Sequence, residues 1–524
     1  MDNNRLLAEQ QTVADISQVN VLAAQEAKRN EMKKKEKRLR TFGAGSFLYA
    51  LFYAFCLYHN ASGITYPFFA GGTLLFFGYF IKKSGSSSAD GKSAKEHIHK
   101  NFLMISIVIA GGLNCTTDSG VLIFFNKLLM LVLFGVLLLQ CWHDLTGWSI
   151  TAYMKGGMTL LFGGIGSLFA PAQDMMAYWR LRHLNGEGGG KSEKRGRLLK
   201  SVGIGLLIVF PMAMIIAILL ASADAVFYEL MYDILTFSID FEAFENFIEI
   251  TVLIIIVFAV CYGIFAYNTE PEKRKAIDNM ALTQKTNWDS YIAVTVNSVM
   301  GVMYVVFSAI QIISLFFGRL PEGYTYSSYA RHGFFELVFV CLFNIALVLC
   351  TLAYFECSRV LRILLTIICG CTYVMTVSSA YRMLLYISSY QLTFLRLLVL
   401  WGLVIIAIVM TIVFVYIYRP QISLFRSVLI VLTAGWLVFS AIHPDYWIAS
   451  YNLTARADGQ EYDSYYLANR LSLDAVAALP EEIYKNRSSS YYVRAERYKR
   501  QTDEFMGVRK FNFSRAYAAH KINY

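Results

Sequence analysis

The sequence predicts an all-α membrane protein: a polytopic helical membrane bundle of about eleven spans with a small helical extracytoplasmic C-terminal cap. Of its 524 residues, 56% are hydrophobic and only 16% are charged, whereas about a quarter of the residues of a soluble globular protein are charged. The mean hydropathy is +0.46. The apolar residues form long runs with aromatic residues near their ends, which is the pattern that a bilayer selects.

Eleven apolar runs approach the roughly 20 residues that a helix needs to cross about 30 Å of hydrocarbon. Because backbone polar groups need partners in lipid, each run is predicted to be a helix. The runs are 43–58, 64–81, 97–113, 121–141, 201–221, 250–267, 290–316, 333–355, 363–383, 397–417 and 424–443.

A further stretch, 156–173, is weakly apolar and is interrupted by Gly163, Gly164, Gly166 and Pro171. An interfacial or re-entrant helix suits this composition better than a span does. The stretch belongs to a long loop, 143–200, which is predicted to be cytoplasmic.

Lys and Arg are concentrated in alternate loops, and this asymmetry predicts the orientation of the chain. With a cytoplasmic N-terminus, the short outer loops hold only Arg319, Arg331 and Arg396. Eleven spans then place the C-terminal tail outside the cytoplasm.

The chain is predicted to have three parts: a basic helical N-terminal segment 1–42, a transmembrane bundle 43–443, and a polar helical cap 444–524. The first part ends in the basic stretch from Lys28 to Arg40. That stretch either contacts anionic headgroups or is a solvated determinant of topology. The many tyrosines of the cap suggest that it docks on the outer loops.

Charged side chains within or beside a span are costly and often mark functional positions. Those toward the outer leaflet on the predicted topology are Lys127, Arg331, Glu336, Arg382 and Arg396. Arginine suits phosphate and carboxylate groups, so the set predicts an outward-facing cationic pocket for an anionic ligand, such as a lipid headgroup or an envelope component. The alternative is that these residues snorkel to the interface or pair with acids of the outer loops and the cap.

Two amides within predicted spans, Asn297 and Asn344, are expected to make hydrogen bonds between helices rather than to bind a ligand.

Several function classes lack support. The net charge is +10, but the basic residues recur between apolar runs instead of forming one surface, so nucleic acid is not an expected partner. The sequence has no nucleotide-binding loop, nucleophile elbow, zinc-protease motif or dinucleotide fingerprint. We therefore predict no catalytic residue, no metal and no cofactor.

Several blocks of the sequence are similar to those that recur in one bacterial multi-pass membrane family. They are Ala223 to Phe227, Tyr329 to Leu337, Tyr381 to Arg396, Pro444–Asp445, Ile448–Ala449, Tyr451–Asn452, Tyr466 to Val476, and Asn512 to Arg515. The chain thus resembles a family catalogued as a domain of unknown function (the four-one-five-three and four-one-seven-three groups). The resemblance implies a bacterial cytoplasmic membrane and brings no activity with it. The chain has Gln391 where the family pattern leads us to expect glycine, and His332 where an acid is more usual.

Three functions remain open. The first is a non-enzymatic envelope sensor, regulator or scaffold with a membrane or cytoplasmic protein partner, and it is favoured because it demands least of the sequence. The second is a transporter or lipid-handling protein that uses the cationic pocket; the paired broken helices or repeats typical of transporters are not evident. The third is a membrane-embedded transferase, which the absence of an acid from the early outer loop 59–63 disfavours.

Overall fold

The structure is a computed structural model that describes residues 2–84, 94–143, 145, 148, 150–184, 220, 224, 241–282, 289–316, 334–356, 358–457, 463–503 and 507–523. Over these residues the chain is all-α, with 18 α-helices and two short 3-10 helices, Leu473–Ala477 and Gly507–Lys510. The α-helices are α1 Asp2–Leu57, α2 Thr65–Lys83, α3 Ala94–Thr116, α4 Gly120–Trp142, α5 Ile150–Gly166, α6 Ala170–Leu184, α7 Phe241–Asn268, α8 Pro271–Leu282, α9 Ser290–Phe316, α10 Phe334–Tyr354, α11 Arg359–Tyr390, α12 Phe394–Tyr418, α13 Leu424–Ala441, α14 Pro444–Ala457, α15 Ser464–Asn469, α16 Glu481–Tyr484, α17 Ser490–Asp503 and α18 Phe513–Asn523.

Eight of the described helices are long and apolar enough to cross a membrane. They are Glu96–Thr116, Gly120–Trp142, Glu245–Asn268, Ser290–Ile313, Phe334–Tyr354, Arg359–Ser388, Phe394–Tyr418 and Leu424–Ala441. These helices correspond to eight of the eleven predicted runs, so the chain is a multi-span helical membrane protein. Of the other three runs, 43–58 and 64–81 are helical but fall outside this set of eight, and 201–221 lies, except for Leu220, outside the described residues. The total of eleven spans therefore stays a prediction.

The chain divides into two compact units. Unit 1 comprises Met1–Tyr58 and Leu161–Glu270, and unit 2 comprises His59–Leu160 and Pro271–Tyr524. Each unit is described by itself.

In unit 1, α1 packs against α6 and α7. The ring of Phe42 stacks on Phe265, with centroids 4.8 Å apart, and the Tyr58 hydroxyl donates to the Asn246 backbone carbonyl at 3.1 Å. These two contacts lie at opposite ends of the candidate span in α7. The first predicted run, 43–58, therefore lies antiparallel to α7 along nearly its whole apolar length.

Unit 2 holds two groups of packed helices. In the first, α3 packs against α2, α4 and α13 around buried residues such as Leu103 and Leu133. In the second, α11 packs against α9, α10 and α12 around Leu365 and Met410. The tail helices pack on one another, on α3 and on α12, so apolar burial alone already joins the tail to the bundle.

The stretch 156–173 forms the end of α5 and the beginning of α6, separated by a turn at 167–169. Pro171 lies in the first turn of α6, where its missing N–H costs no helical hydrogen bond. The interfacial or re-entrant placement of this stretch stays a prediction.

Candidate functional site

A polar cluster of unit 2 lies where the tail meets two segments: the loop 59–64, and the segment 114–119, which comprises the end of α3 and the loop to α4. We call this cluster the tail junction. It consists of Thr117, Asp118, His443, Asp445, Asp474, Arg494, Asn512, Ser514 and Arg515.

Asp474 is the central acceptor of the tail junction. Its side chain is only 2% exposed and sits on the 3-10 helix Leu473–Ala477. The hydroxyls of Thr117 and Ser514 each donate to it at 2.5 Å, and the Asp118 amide donates at 2.7 Å. Burial raises the pKa of Asp474, but the hydrogen bonds from His443, Ser514, Thr117 and the Asp118 amide outweigh it, so that the pKa lies below its ordinary value. Asp474 is therefore ionised at neutral pH.

His443 lies two residues beyond the last candidate span, Leu424–Ala441, and contacts Asp474. Its φ of 49° lies in the left-handed region, which favours glycine and is uncommon for histidine. Its Nδ1 lies 3.3 Å from Asp474 Oδ2. The hydrogen bond with Asp474 outweighs burial and raises the pKa of His443, so this contact strengthens when the imidazole is protonated.

Asp445 is the second buried carboxyl group that the tail adds to the junction. It lies in the first turn of α14 and accepts a hydrogen bond from the Ser472 amide at 3.0 Å. Burial raises the pKa of Asp445 to about 6, and the nearby Asp474 adds to the effect. The pKa of Asp445 is therefore raised and that of Asp474 is lowered, although both carboxyl groups lie in the tail junction.

Asp118, between α3 and α4, holds two arginines of the tail. Its carboxylate accepts from Arg515 Nε at 2.5 Å and from Arg494 Nη1 at 3.4 Å, and also from the Leu473 amide at 3.2 Å. Arg494 in addition donates to the Leu471 carbonyl at 2.7 Å. Asp118 thus attaches three elements of the tail to the segment 114–119. They are the 3-10 helix Leu473–Ala477, α17 and α18.

Asn512 joins the tail to both loops at once. Its side-chain amide is fully buried and donates to the backbone carbonyls of Ser62, Asn114 and Thr117 at 3.0–3.3 Å. Its carbonyl oxygen accepts from the Arg515 amide at 3.1 Å. Carbonyls at helix ends need donors when they are buried, and Asn512 supplies them.

The tail is also attached to the bundle at the turn between α11 and α12. The side chain of Asn452 in α14 both accepts from the Leu392 amide and donates to the Leu392 carbonyl, each at 2.9 Å. The Tyr466 hydroxyl accepts from the Phe394 amide at 3.1 Å. The tail therefore contacts both helix groups of unit 2 through buried polar bonds.

The opposite ends of α3 and α13 are joined by an ion pair. Arg426 donates to the Glu96 carboxylate at 3.2 Å and to the Tyr153 hydroxyl at 3.3 Å. Gln140 donates to the Glu96 carbonyl at 3.0 Å. Since α3 and α13 run parallel, the ion pair secures one end of this helix pair and the tail junction secures the other.

The residues predicted to line a cationic pocket have different partners. Lys127 in α4 lies over the Tyr66 ring, 5.2 Å from its centroid. Arg382 in α11 is only 6% exposed and donates to Gln311 in α9 at 3.0 Å.

Arg396 lies over the Tyr386 ring, 4.1 Å from its centroid, and donates to the carbonyls of Tyr390 and Gln391. Glu336 is exposed in the first turn of α10, and Arg331 lies outside the described residues. The contacts of Lys127, Arg382 and Arg396 thus involve α2, α9 and the 390–391 turn respectively. Their assembly into one pocket stays a prediction.

The predicted amide contacts between helices are confirmed. Asn297 in α9 donates to Thr351 in α10 at 3.2 Å, and Asn344 in α10 donates to Thr372 in α11 at 2.9 Å. Asn126 in α4 makes similar contacts with Trp436 and Ser440 in α13.

The acids of the tail junction were not among the residues predicted from the sequence. The available signal was the set of similar blocks that include Asp445, Asp474 and Asn512, each a polar residue beside apolar ones. In the described part of the chain, no group of three or more His, Cys, Asp or Glu is placed to hold a metal ion.

One family model matches the chain, over residues 102–482, and its description is "Domain of unknown function (DUF4153)". The matched range includes Asp118, His443, Asp445 and Asp474, whereas Arg494, Asn512 and Arg515 follow it. No curated protein and no solved structure matches the chain. The match covers more than half of the sequence and agrees with the resemblance that the sequence blocks indicate: the chain is a multi-pass membrane protein that belongs to the DUF4153 family.

Proposed function

We propose that the chain is a non-enzymatic regulator or scaffold of a bacterial cytoplasmic membrane, with a cytoplasmic N-terminus and an extracytoplasmic tail. In this proposal the tail binds a protein partner and the spans carry its state to the other side. The orientation rests on the positive-inside distribution of Lys and Arg.

The observation that carries the proposal is the attachment of Asp474 to Thr117, Ser514 and His443. Through these bonds one tail residue contacts the residue that directly follows α3, the last described helix of the tail, and the segment that follows the last candidate span. A change in the tail must therefore alter contacts at the ends of spans, because packed cores and interfaces switch between discrete arrangements rather than deform continuously. The polar side chains of the junction are engaged with one another, which suits a mechanical role better than catalysis.

Photo-crosslinking in the native host tests this function. A photoreactive amino acid would replace Val508, which is 78% exposed on the tail, and adducts would be compared in the parent, in Asp474→Asn and in Glu496→Gln. Glu496 is an exposed tail carboxylate and serves as the control for lost charge. We expect a discrete protein adduct that Asp474→Asn abolishes and Glu496→Gln retains, in chains inserted to equal levels. No discrete adduct, or one of equal yield in both variants, contradicts the proposal.

A second candidate function is the outward-facing cationic site for an anionic envelope component, formed by Lys127, Arg331, Arg382 and Arg396 with Glu336. It is supported by the chemistry of the side chains, because the planar guanidinium groups of Arg382 and Arg396 suit the phosphate or carboxylate groups of such a ligand. Lys127→Gln and Arg396→Gln are then expected to weaken binding of an anionic envelope lipid precursor to the purified chain at least tenfold. Unchanged binding in both variants contradicts this candidate.

A further inference from the structure

We propose that α1 and α6 of unit 1 form a binding surface for anionic phospholipid headgroups at one face of the bilayer. The proposal goes beyond the regulatory function above, since it involves neither the tail nor a protein partner.

The contacts of Arg38 place this surface at the level of the bilayer interface. Arg38 donates to the Ala266 carbonyl at 3.3 Å and to the Glu270 carboxylate at 3.1 Å. Ala266 lies in the last turn of the candidate span Glu245–Asn268, and Glu270 follows that span directly. Arg38 therefore lies where the apolar part of unit 1 ends, and the basic stretch that precedes it in α1 begins at the headgroups.

A buried ion pair fixes the orientation of α1 and α6 at that level. Arg38 binds Asp174 of α6 through two parallel bonds of 2.6 and 2.7 Å, and the Tyr262 hydroxyl donates to the same carboxylate at 2.6 Å. Bidentate pairs of this kind fix the relative geometry of the two side chains and also contribute more energy than a single hydrogen bond. The exposed faces of α1 and α6 are thus held in a defined arrangement.

The exposed face of α1 is strongly basic. Residues 28–40 include eight Lys and Arg but only two Glu. Lys33, Lys37 and Arg40 are spaced by four and three positions, lie on one face of the helix and are exposed. Glu36 pairs with Arg40 at 2.7 Å, but a solvent-exposed pair of this kind is weak, and the face keeps a net positive charge.

The exposed face of α6 adds an apolar stripe with bases at its end. Met175, Met176 and Trp179 are 48%, 59% and 39% exposed at helical spacing, and the exposed Arg180 follows them. The Arg40 guanidinium lies 5.9 Å from the Tyr178 ring centroid, so Arg40 of α1 contacts α6 two residues before Arg180.

This combination identifies the occupant. An apolar stripe with Trp and flanking bases is typical of helices that lie in the interface, where the stripe contacts acyl chains and the bases contact headgroups. A soluble phosphate compound would use the bases but leave the stripe in water. We therefore assign the surface to the anionic phospholipids of one leaflet.

Lipid titration of the purified full chain, followed by native mass spectrometry, tests the proposal. The probes are phosphatidylglycerol and phosphatidylcholine with identical acyl chains. We expect the parent to prefer phosphatidylglycerol. The triple variant K37Q, R40Q and R180Q is expected to lose about a hundredfold in that preference, because each base near an anionic surface contributes roughly a factor of five.

The matched control is the triple variant R487Q, R497Q and K499Q, which removes three exposed charges from the tail and is expected to leave the preference unchanged. Equal losses in the two triple variants would overturn the proposal, because they would show a response to net charge alone. Effective competition by soluble glycerol phosphate at the lipid's own concentration would also overturn it, since that marks a phosphate site rather than a bilayer surface.

Fluorescence gives a second readout that does not depend on the triple variant. The parent and Trp179→Phe would be placed in vesicles that contain either brominated phosphatidylglycerol or brominated phosphatidylcholine at equal mole fraction. The emission assigned to Trp179 by difference is expected to be quenched more by the anionic lipid. Equal quenching by the two lipids contradicts the proposal.

Discussion

Arg515 Nε donates a hydrogen bond to the Asp118 carboxylate at 2.5 Å, although the two residues are 397 positions apart in the sequence. The Asp118 side chain is 7% exposed and that of Arg515 is 23% exposed. This ion pair is therefore partly desolvated, and it connects the last helix of the tail to the loop between α3 and α4.

Loss of the acid in this pair is expected to destabilise the attachment of the tail. Asp118→Asn leaves Arg494 and Arg515 without their shared anion but keeps an acceptor for the Leu473 amide. We expect the free energy of unfolding to fall by roughly 2 kcal/mol, between the values for exposed and fully buried pairs, because both guanidiniums are partly exposed. Denaturant unfolding of the full chain in detergent measures the loss. Glu482→Gln, which removes an exposed carboxylate of the tail, is the control; an equal loss there would contradict the assignment.

The tail junction is expected to weaken as the pH rises from 6.5, the ordinary pKa of histidine, through the raised pKa of His443. The folded-state pKa of His443 is raised by its bond to Asp474, so its stabilisation is complete below its ordinary pKa and is lost as the pH rises through the raised value. Burial raises the pKa of Asp445 from 3.8 to about 6. The stability that its protonated form contributes is therefore lost as the pH rises from 3.8 to about 6. Asp474, with a lowered pKa, loses its contribution only as the pH falls below 3.8 through the folded value.

Thermal unfolding between pH 5.5 and 8.5 checks this dependence. His443→Asn is the informative variant, because asparagine tolerates the left-handed backbone but does not titrate. We expect the parent to lose stability relative to His443→Asn as the pH rises. A constant difference between the two proteins across this range contradicts the role assigned to His443.

Gly63 is expected to be irreplaceable at the contact between the loop 59–64 and the tail. A Cβ atom there would lie 1.9 Å from the Arg509 carbonyl oxygen and 2.6 Å from Asn60 Oδ1. Gly63→Ala must therefore displace the 3-10 helix Gly507–Lys510 or the loop, at a cost of about 1–3 kcal/mol, and protease cleavage of the tail should accelerate. Gly112→Ala, whose Cβ would meet nothing within 4 Å, should leave cleavage unchanged or slow it.

Gln391 occupies a backbone conformation that favours glycine. Its φ of 68° and ψ of 172° fall in a region that residues with a Cβ rarely adopt, which explains why glycine is the residue expected there from the family pattern. Gln391→Gly and Gln391→Ala both lose the side-chain contact with the Asp463 amide, so their difference isolates the backbone. We expect the glycine variant to be more stable than the alanine variant by about 1–2 kcal/mol in thermal unfolding. Equal stability would contradict the strain.

In unit 1, Arg38→Ala is expected to destabilise α1 strongly. Asp174 is fully buried, and its charge would lose the bidentate guanidinium, at a cost of about 3–5 kcal/mol. The double variant Arg38→Ala, Asp174→Asn should recover part of this loss, because it removes the uncompensated charge. Arg40→Ala, at a position whose side chain is 69% exposed, is the control. Additive effects of the two single changes would contradict the proposed pairing.

Composition and run length predict the helical membrane class well, because the bilayer imposes both length and apolarity on each span independently of its neighbours. The amide contacts of Asn297 and Asn344 follow from the same reasoning. The prediction of a helical cap over 444–524 does not give the separate elements of the tail, such as α15 and the 3-10 helix Leu473–Ala477 that follows it.

The tail junction could not be predicted from local patterns. Thr117 and Asp474 are 357 positions apart, and no spacing rule for helices relates residues across such distances. The same limit applies to the predicted pocket. Charge and topology identify Lys127, Arg382 and Arg396 one at a time. The contacts of Lys127 with Tyr66 and of Arg382 with Gln311 depend on which helices pack together.

Asn512 has a consequence for the biosynthesis of the chain. It bonds to the carbonyl of Thr117, 395 residues earlier, and to that of Ser62. At translation rates of about 5–20 residues per second, Thr117 is made roughly 20–80 s before Asn512, and Ser62 is made slightly earlier still. During that interval the loop carbonyls depend on water or on a helper protein for hydrogen bonds, and the nascent chain is exposed to quality-control proteases until its last helix docks.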